Sequence, residues 1–456
     1  CFIFLLSYTV YLFVLFILSL FSSARDTIST PILLPEMLIQ APSYNESCVI
    51  EGFLKCILKL KYPSDKLHLQ LLDDSTDTTN KIIQEFLRKN TFPFKVSHII
   101  RTSRQGYKAG ALAYGLQISH EPFVCILDVD FRPEADFLVN LLPYLSDSHV
   151  AAVQAAWTFY NQDQNILTRV QMAQLQIHFR LEQYVRQTFG LPVQFNGTGG
   201  IWRRNAIMKA GGWLPRSITE DLDLSMRVYK TGFKISYINS VNISSELPST
   251  IGALKSQQYR WMKGGAECSR FHLNSIGKID STFFGRISTV FMLGGSSFYV
   301  ILYVLILTTV PAYTVLSESK YGSSSFIFYV NFILLLCIYL GTELKIKNSF
   351  TKAIMMVILY PFILAFNIGI CPSNTLAVYR GWKGQESIFI RTPKGAQGHD
   401  PQKDKIDYPI LFLELLLLFS CIIGLLIAIQ KQDLKLGTLM LLGLCGVGSF
   451  LLARLL

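Results

Sequence analysis

The 456-residue chain holds nine cysteines, yet they are dispersed, no two form a C-x-x-C pair and no His/Cys cluster has metal-ligand spacing. That absence argues against a disulfide scaffold and against a zinc site, and fits a reduced, cytosol-facing domain. No internal repeat or low-complexity tract interrupts the chain, so solenoid and fibrous architectures are excluded. Charge is scarce as well, at 16% of residues against 50% hydrophobic, and it is unevenly spread. Residues 2–21 form an uncharged apolar run, and further runs fill most of 287–455.

A bilayer requires roughly 20 apolar residues per helical span. By that test the candidate spans are 2–21, 288–313, 325–342, 408–429 and 436–453. The first run lacks a basic leading segment and a small-residue cleavage site, which disfavours a removable signal. The chain opens on Cys1 rather than Met, so an upstream start is expected. The net charge of +11 does not call for nucleic acid, because lysines and arginines flank the apolar runs. Anchoring beside anionic membrane lipids is the more economical reading.

Between the membrane runs, short stretches rich in Val, Ile and Leu alternate with helical patterns. "MLIQAPSYNE", "LHLQLLDDS", "KVSHIIR", "FVCILDVDF" and "VAAVQAAW" read as strands, with helices expected over 46–59, 77–89, 108–119 and 135–145. Strands separated by helices imply a mostly parallel α/β sheet, with ligands at the carboxyl ends of the strands. The expected organisation is a membrane helix at 1–24, an α/β domain at 35–270 and a helical membrane region at 285–456.

Carboxylates collect at that strand edge. Asp128 and Asp130 in "LDVDF" suit Mg²⁺ or Mn²⁺, hard cations that also grip a diphosphate; taken alone, a D-x-D reads first as a pair of turn acids after a strand. Asp73, Asp74 and Asp77 in "LLDDSTDTT" stand where a strand passes into a helix: Asp77 or Ser75 reads as its cap, and a second carboxylate at that edge can accept from a nucleobase or ribose. Lys108 starts a helix in "GYKAGAL", an unfavourable place for a cation unless an anion shares the site. Asn196, Gly197 and Thr198 in "FNGTGGIWRR" form a turn or a close backbone approach to a ligand. Gln257, Arg260 and Trp261 in "QQYRW" share one helix face, either as lipid-facing anchors or as a diphosphate and sugar grip. "SITEDLDLSMR" places Glu220, Asp221 and Asp223 at a helix start, with Thr219 positioned to cap it.

In order, "APSYNE", "LLDDSTD", "GYKAGAL", "LDVDF", "FNGTGGIWRR", "TEDLDLSMR" and "QQYRW" resemble the inverting family 2 glycosyltransferases of the cellulose synthase superfamily, over roughly 37–265. The resemblance implies a GT-A fold, a nucleotide-diphosphate sugar donor and a divalent cation. It assigns nucleotide contact to Asp74, with Asp73 beside it, donor and metal binding to Asp128 and Asp130, and the catalytic base to Asp221. Lys108, Gln257, Arg260 and Trp261 join the donor site; Asn196, Gly197, Thr198 and Glu220 position the acceptor.

"FIRTPKG" is similar to the gating loop of cellulose synthases, which singles out Phe389, Thr392 and Lys394. Arg391 departs from the valine familiar there and matches mannan- and glucan-synthase-like members. The basic loop 373–407 belongs on the cytosolic side by the positive-inside rule. The loop before 353–371 is basic too, so that stretch is expected to lie along the interface without crossing, as is the helix near 251–266. The resemblance points to processive synthesis of a β-linked polysaccharide; the alternative is single transfer to a lipid acceptor. A thin channel of five spans leaves room for a homo-oligomer or an accessory export subunit.

Overall fold

The computed structural model describes residues 2–22, 33–315, 318–347, 350–385 and 407–455. Seven strands form one sheet in the order β3-β2-β1-β4-β6-β5-β7. They are β1 Met37–Ser43, β2 Leu67–Asp73, β3 Lys95–Ile100, β4 Phe123–Ile126, β5 Val150–Phe159, β6 Gly200–Arg203 and β7 Lys234–Ser245. β3, β2, β1 and β4 run parallel, as the alternation of strands and helices implies; β6 lies antiparallel between β4 and β5.

The central strands are hydrophobic without interruption because helices cover both faces. Successive residues point to opposite sides: Ile39 and Ala41 pack with Phe53, Ile83 and Leu138, while Leu38 packs with Leu112, Trp202 and Leu224. Each fully buried side chain of this size stabilises the fold by roughly 1.5–3 kcal/mol.

Two buried amides fix the helix Tyr107–Gln117 on this sheet. Gln40 Nε2 donates to Gln70 Oε1 at 3.1 Å, and Gln70 Nε2 donates to the Gly115 carbonyl at 3.1 Å. A Cβ at Gly115 would stand 2.5 Å from Gln40 Nε2. Glycine is therefore required where the helix carrying Lys108 meets the sheet.

Among the described residues, five helices are long and apolar enough to cross a membrane: Ile3–Leu20, Ser297–Val315, Phe350–Lys383, Tyr408–Lys431 and Leu434–Arg454. The expected span 288–313 is divided, because the chain breaks at Gly295 and Ser296 between the helices Phe283–Gly294 and Ser297–Val315. The expected span 325–342 lies inside the helix Glu318–Lys347. The stretch 353–371 belongs to the continuous helix Phe350–Lys383, which carries Pro361 and Pro372. The helix Ile251–His272 bridges the two regions: Lys255 pairs with the buried Glu414 of Tyr408–Lys431, which Arg454 also meets at 2.8 Å. A carboxylate in that setting persists because cations neutralise it.

Candidate active site

The carboxyl ends of β1, β2 and β4 open into a cavity of about 230 Å³, where parallel sheets place their ligands. The two aspartates ending β2 diverge. Asp73 is fully buried, its oxygens taken by Ser43 Oγ at 3.1 Å, Ser75 N at 3.0 Å and His98 Nε2 at 3.1 Å. It braces the strand end and is set back from the cavity. Asp74 lines the cavity and is gripped by the guanidinium of Arg101, whose Nε donates at 2.8 Å.

Lys108 gathers the centre of the site. Its Nζ lies 2.6 Å from Asp128 Oδ1 and 3.7 Å from Glu220 Oε1, and donates to the Gly197 carbonyl at 3.0 Å. Burial works against the ammonium, but Asp128 and Glu220 outweigh it and hold the lysine pKa above its usual value. The turn before it is strained, with Gly106 at φ 73° and Tyr107 at φ 49°. A non-glycine residue in the left-handed region costs about 1–3 kcal/mol and marks functional turns.

"FNGTGG" is stitched to the same edge. Thr198 Oγ1 accepts from Asp128 N at 2.8 Å, and Gln154 Nε2 donates to the Thr198 carbonyl at 3.0 Å. Gly197 has φ 81°, and a Cβ there would lie 3.2 Å from Asp221 Oδ2. The glycine admits both the backbone conformation and the approach of that carboxylate.

Asp221 stands in the first turn of the helix Glu220–Tyr229. Burial, then the neighbouring Glu220, push its pKa up to about 7, with Lys108 opposing. Glu220 is raised by burial too. Asp223 is of another kind: it meets Arg216 at 2.6 Å, Arg227 at 2.8 Å and His272 at 2.9 Å. Burial alone would raise it, yet those partners bring it down to about 2. Thr219 holds the N-cap position without capping; its hydroxyl meets Ser217 Oγ at 3.2 Å and Cys268 Sγ at 3.4 Å instead.

Gln257, Arg260 and Trp261 all face the cavity from the helix Ile251–His272, and Asp130 lines its far wall with Oδ2 accepting from Ser245 Oγ at 3.1 Å. A second cavity of about 760 Å³ runs from this point among the apolar helices. Asn196, Asp221, Gln257 and Trp261 border both. Phe389, Thr392 and Lys394 lie outside the described residues. The chain on either side of them is fastened to the Gln257 helix: Lys263 Nζ donates to the Gln385 carbonyl at 2.6 Å, and Arg380 joins Tyr259 and Asp407, each at 2.8 Å.

The structure adds residues that the motifs do not flag. Arg104 lies 3.3 Å above the centre of the Tyr44 ring and lines the cavity. Its one signal in sequence is a second cation just ahead of the Lys108 helix. His178 and Glu182 border the larger cavity and belong to no motif.

Among the described residues no group of three or more His, Cys, Asp or Glu is arranged to hold a metal. Mg²⁺-type sites, however, use one or two carboxylates completed by substrate phosphates. The lining supports that: seven carboxylates (Glu46, Asp74, Asp128, Asp130, Glu220, Asp221, Glu246) face three cations (Arg104, Lys108, Arg260). A diphosphate entering such a site needs added positive charge, and Asp128 and Asp130 offer hard oxygens for it.

Comparison with known proteins places the chain in a family and the α/β domain in a fold. The family model "Glycosyl transferase family group 2" matches residues 123–366. A probable glucomannan 4-beta-mannosyltransferase of Oryza sativa subsp. japonica is 41% identical over 52% of this chain and 41% of its own length. Two glucomannan 4-beta-mannosyltransferases of Arabidopsis thaliana are 42% and 43% identical over 52% of this chain and 45% of theirs. The chain thus spans less than half the length of these relatives. A mannosyltransferase of Pyrobaculum calidifontis, solved with GDP-Man and Mn²⁺, shares the fold at a TM-score of 0.58 and 16% identity, over 84% of this chain and 100% of that one. The α/β domain is of the GT-A type.

Proposed function

Because the chain belongs to glycosyl transferase family group 2, we propose that it is an inverting hexosyltransferase, moving mannose from a nucleotide-diphosphate donor onto a growing β-linked polysaccharide at a membrane. Asp221 carries the reading: a carboxylate with its pKa pushed up to about 7, bordering both the smaller and the larger cavity. A base works best when its pKa lies near the working pH.

In this reading Asp221 takes the proton from an acceptor hydroxyl as that oxygen bonds to the anomeric carbon. The bond from that carbon to the diphosphate breaks on the opposite face, so the configuration inverts. The leaving charge is met by Lys108 and Arg260, both of which line the cavity. A divalent cation held by Asp128 and Asp130 would neutralise that charge when bound; Mg²⁺ and Mn²⁺ both suit the donor set. Asp74 and Arg104 face the nucleoside end, and Trp261 offers an apolar face to the sugar.

The names of the relatives support mannose as the sugar. The larger cavity supports a path for product among the helices, and the basic stretch 373–407 supports a cytosolic catalytic domain. A panel of GDP-mannose, GDP-glucose and UDP-glucose, read by donor-dependent nucleotide release and by product size, tests the proposal. It predicts GDP release from GDP-mannose and a polymer; a single-sugar lipid as sole product overturns the polymer reading.

A further inference from the structure

One connected group of side chains has no part in the chemistry above. After the helix Ile166–Gln176 the chain widens into a π-helical segment, Ile177–Gln183; such segments are rare and recur at functional sites. It carries His178 and Glu182, with His178 Nδ1 3.2 Å from Glu182 Oε2. The other ring nitrogen of His178 lies 3.1 Å from Asn196 Oδ1, and Gln194 Nε2 reaches that same oxygen at 3.0 Å. Gln194 thus donates to the amide oxygen of Asn196, and His178 donates to it when Nε2 carries a proton; either contact turns the Asn196 Nδ2 the other way. That Nδ2 is buried and has no hydrogen-bond partner among the described residues, a state that is expensive to leave unrelieved.

The place explains the geometry. Asn196 borders both cavities next to Asp221, while His178 and Glu182 border only the larger one. Lys108 and Arg260, which meet the diphosphate, line only the smaller cavity, so a partner for Nδ2 that arrives from the larger one is the acceptor. Behind the pair, Arg186 donates to Glu182 Oε1 at 3.3 Å and to Tyr11 Oη at 3.2 Å, which anchors the group to the helix Phe2–Leu20.

We propose that His178 and Glu182 are positioning residues for acceptor capture: they hold the Asn196 amide so that its Nδ2 donates to a hydroxyl oxygen of the glycan beside Asp221. The inference rests on the transfer reaction proposed above. Its test uses the full chain in nanodiscs with GDP-mannose and β-1,4-mannohexaose. His178→Ala raises the KM for mannohexaose about tenfold, the worth of one hydrogen bond. The KM for GDP-mannose and the slow release of GDP into water stay at the wild-type level. His178→Gln, whose amide can donate to Asn196 Oδ1, recovers most of the loss, and adding Asn196→Ala to His178→Ala costs little more.

An unchanged acceptor KM in His178→Ala, or an equal loss in donor hydrolysis without acceptor, overturns the inference while leaving the transfer reading intact. A wild-type chain that releases no nucleotide from any donor overturns the transfer reading and this inference with it. If His178→Ala fails to fold, Glu182→Gln decides: a raised mannohexaose KM supports the assignment and an unaltered one refutes it.

Discussion

Replacing Asp221 by asparagine keeps the shape of the side chain and removes its basicity. The carboxylate fits against Gly197 with no room for added bulk, since a Cβ there would come within 3.2 Å of Asp221 Oδ2; an isosteric change is therefore the clean perturbation. A positioned general base contributes about 10²–10⁴-fold, so sugar transfer by Asp221→Asn falls by that factor while GDP-mannose binding is kept. The pKa supplies a second signature. Moving the group from 3.8 to about 7 represents roughly 4 kcal/mol of unfavourable ionisation, shared with Glu220. This is a raised acid, so the penalty is absent below the unfolded value near pH 4, grows as pH rises, and is complete above about pH 7. Asp221→Asn escapes it: its melting temperature matches the wild type near pH 4 and exceeds it at pH 8. The wild-type rate rises through a limb near pH 7 that the variant lacks. Transfer within tenfold of wild type, or a variant less stable at pH 8, refutes the reasoning.

Asp223→Asn acts on stability, because it strands Arg216, Arg227 and His272 around a buried position; breaking such a group costs about 3–5 kcal/mol, read by thermal unfolding. The Asp223 pKa is depressed to about 2, so its stabilisation is present above about pH 4 and lost as pH falls toward 2; the variant's deficit shrinks over that window. Gly197→Ala meets both a φ of 81° and the Asp221 carboxylate, so transfer falls at least about tenfold, as expected of a misplacement near the chemistry, while circular dichroism stays native. Chelation with EDTA abolishes transfer, and Mg²⁺ or Mn²⁺ restores it; retained activity in chelator removes Asp128 and Asp130 from a metal role.

The parallel half of the sheet was legible because its strands are short apolar runs closed by carboxylates, and Asp128, Asp221 and Trp261 stood in motifs whose order carried the resemblance. Less visible was whatever depends on three-dimensional context. β6 is four residues long and begins on Gly200, so it reads as part of a glycine turn. Asp73 and Asp74 are neighbours in sequence, yet pairing with Ser43 and His98 takes one inward while Arg101 holds the other at the cavity. Thr219 looks like a cap, but packing against Ser217 and Cys268 draws its hydroxyl away. Arg104 meets Tyr44 and His178 meets Asn196 across separate segments, which no local spacing announces. The break at Gly295 and Ser296 divides a hydropathic run that composition alone reads as one span.

The most direct test of the account is the stereochemistry of the bond formed. The full chain, given GDP-α-mannose and mannohexaose, is predicted to extend the acceptor through β-linkages, seen by NMR of the new anomeric signal and by digestion with β-mannanase. An α-linked product, or a product resistant to β-mannanase with retained configuration, contradicts the single displacement assigned to Asp221.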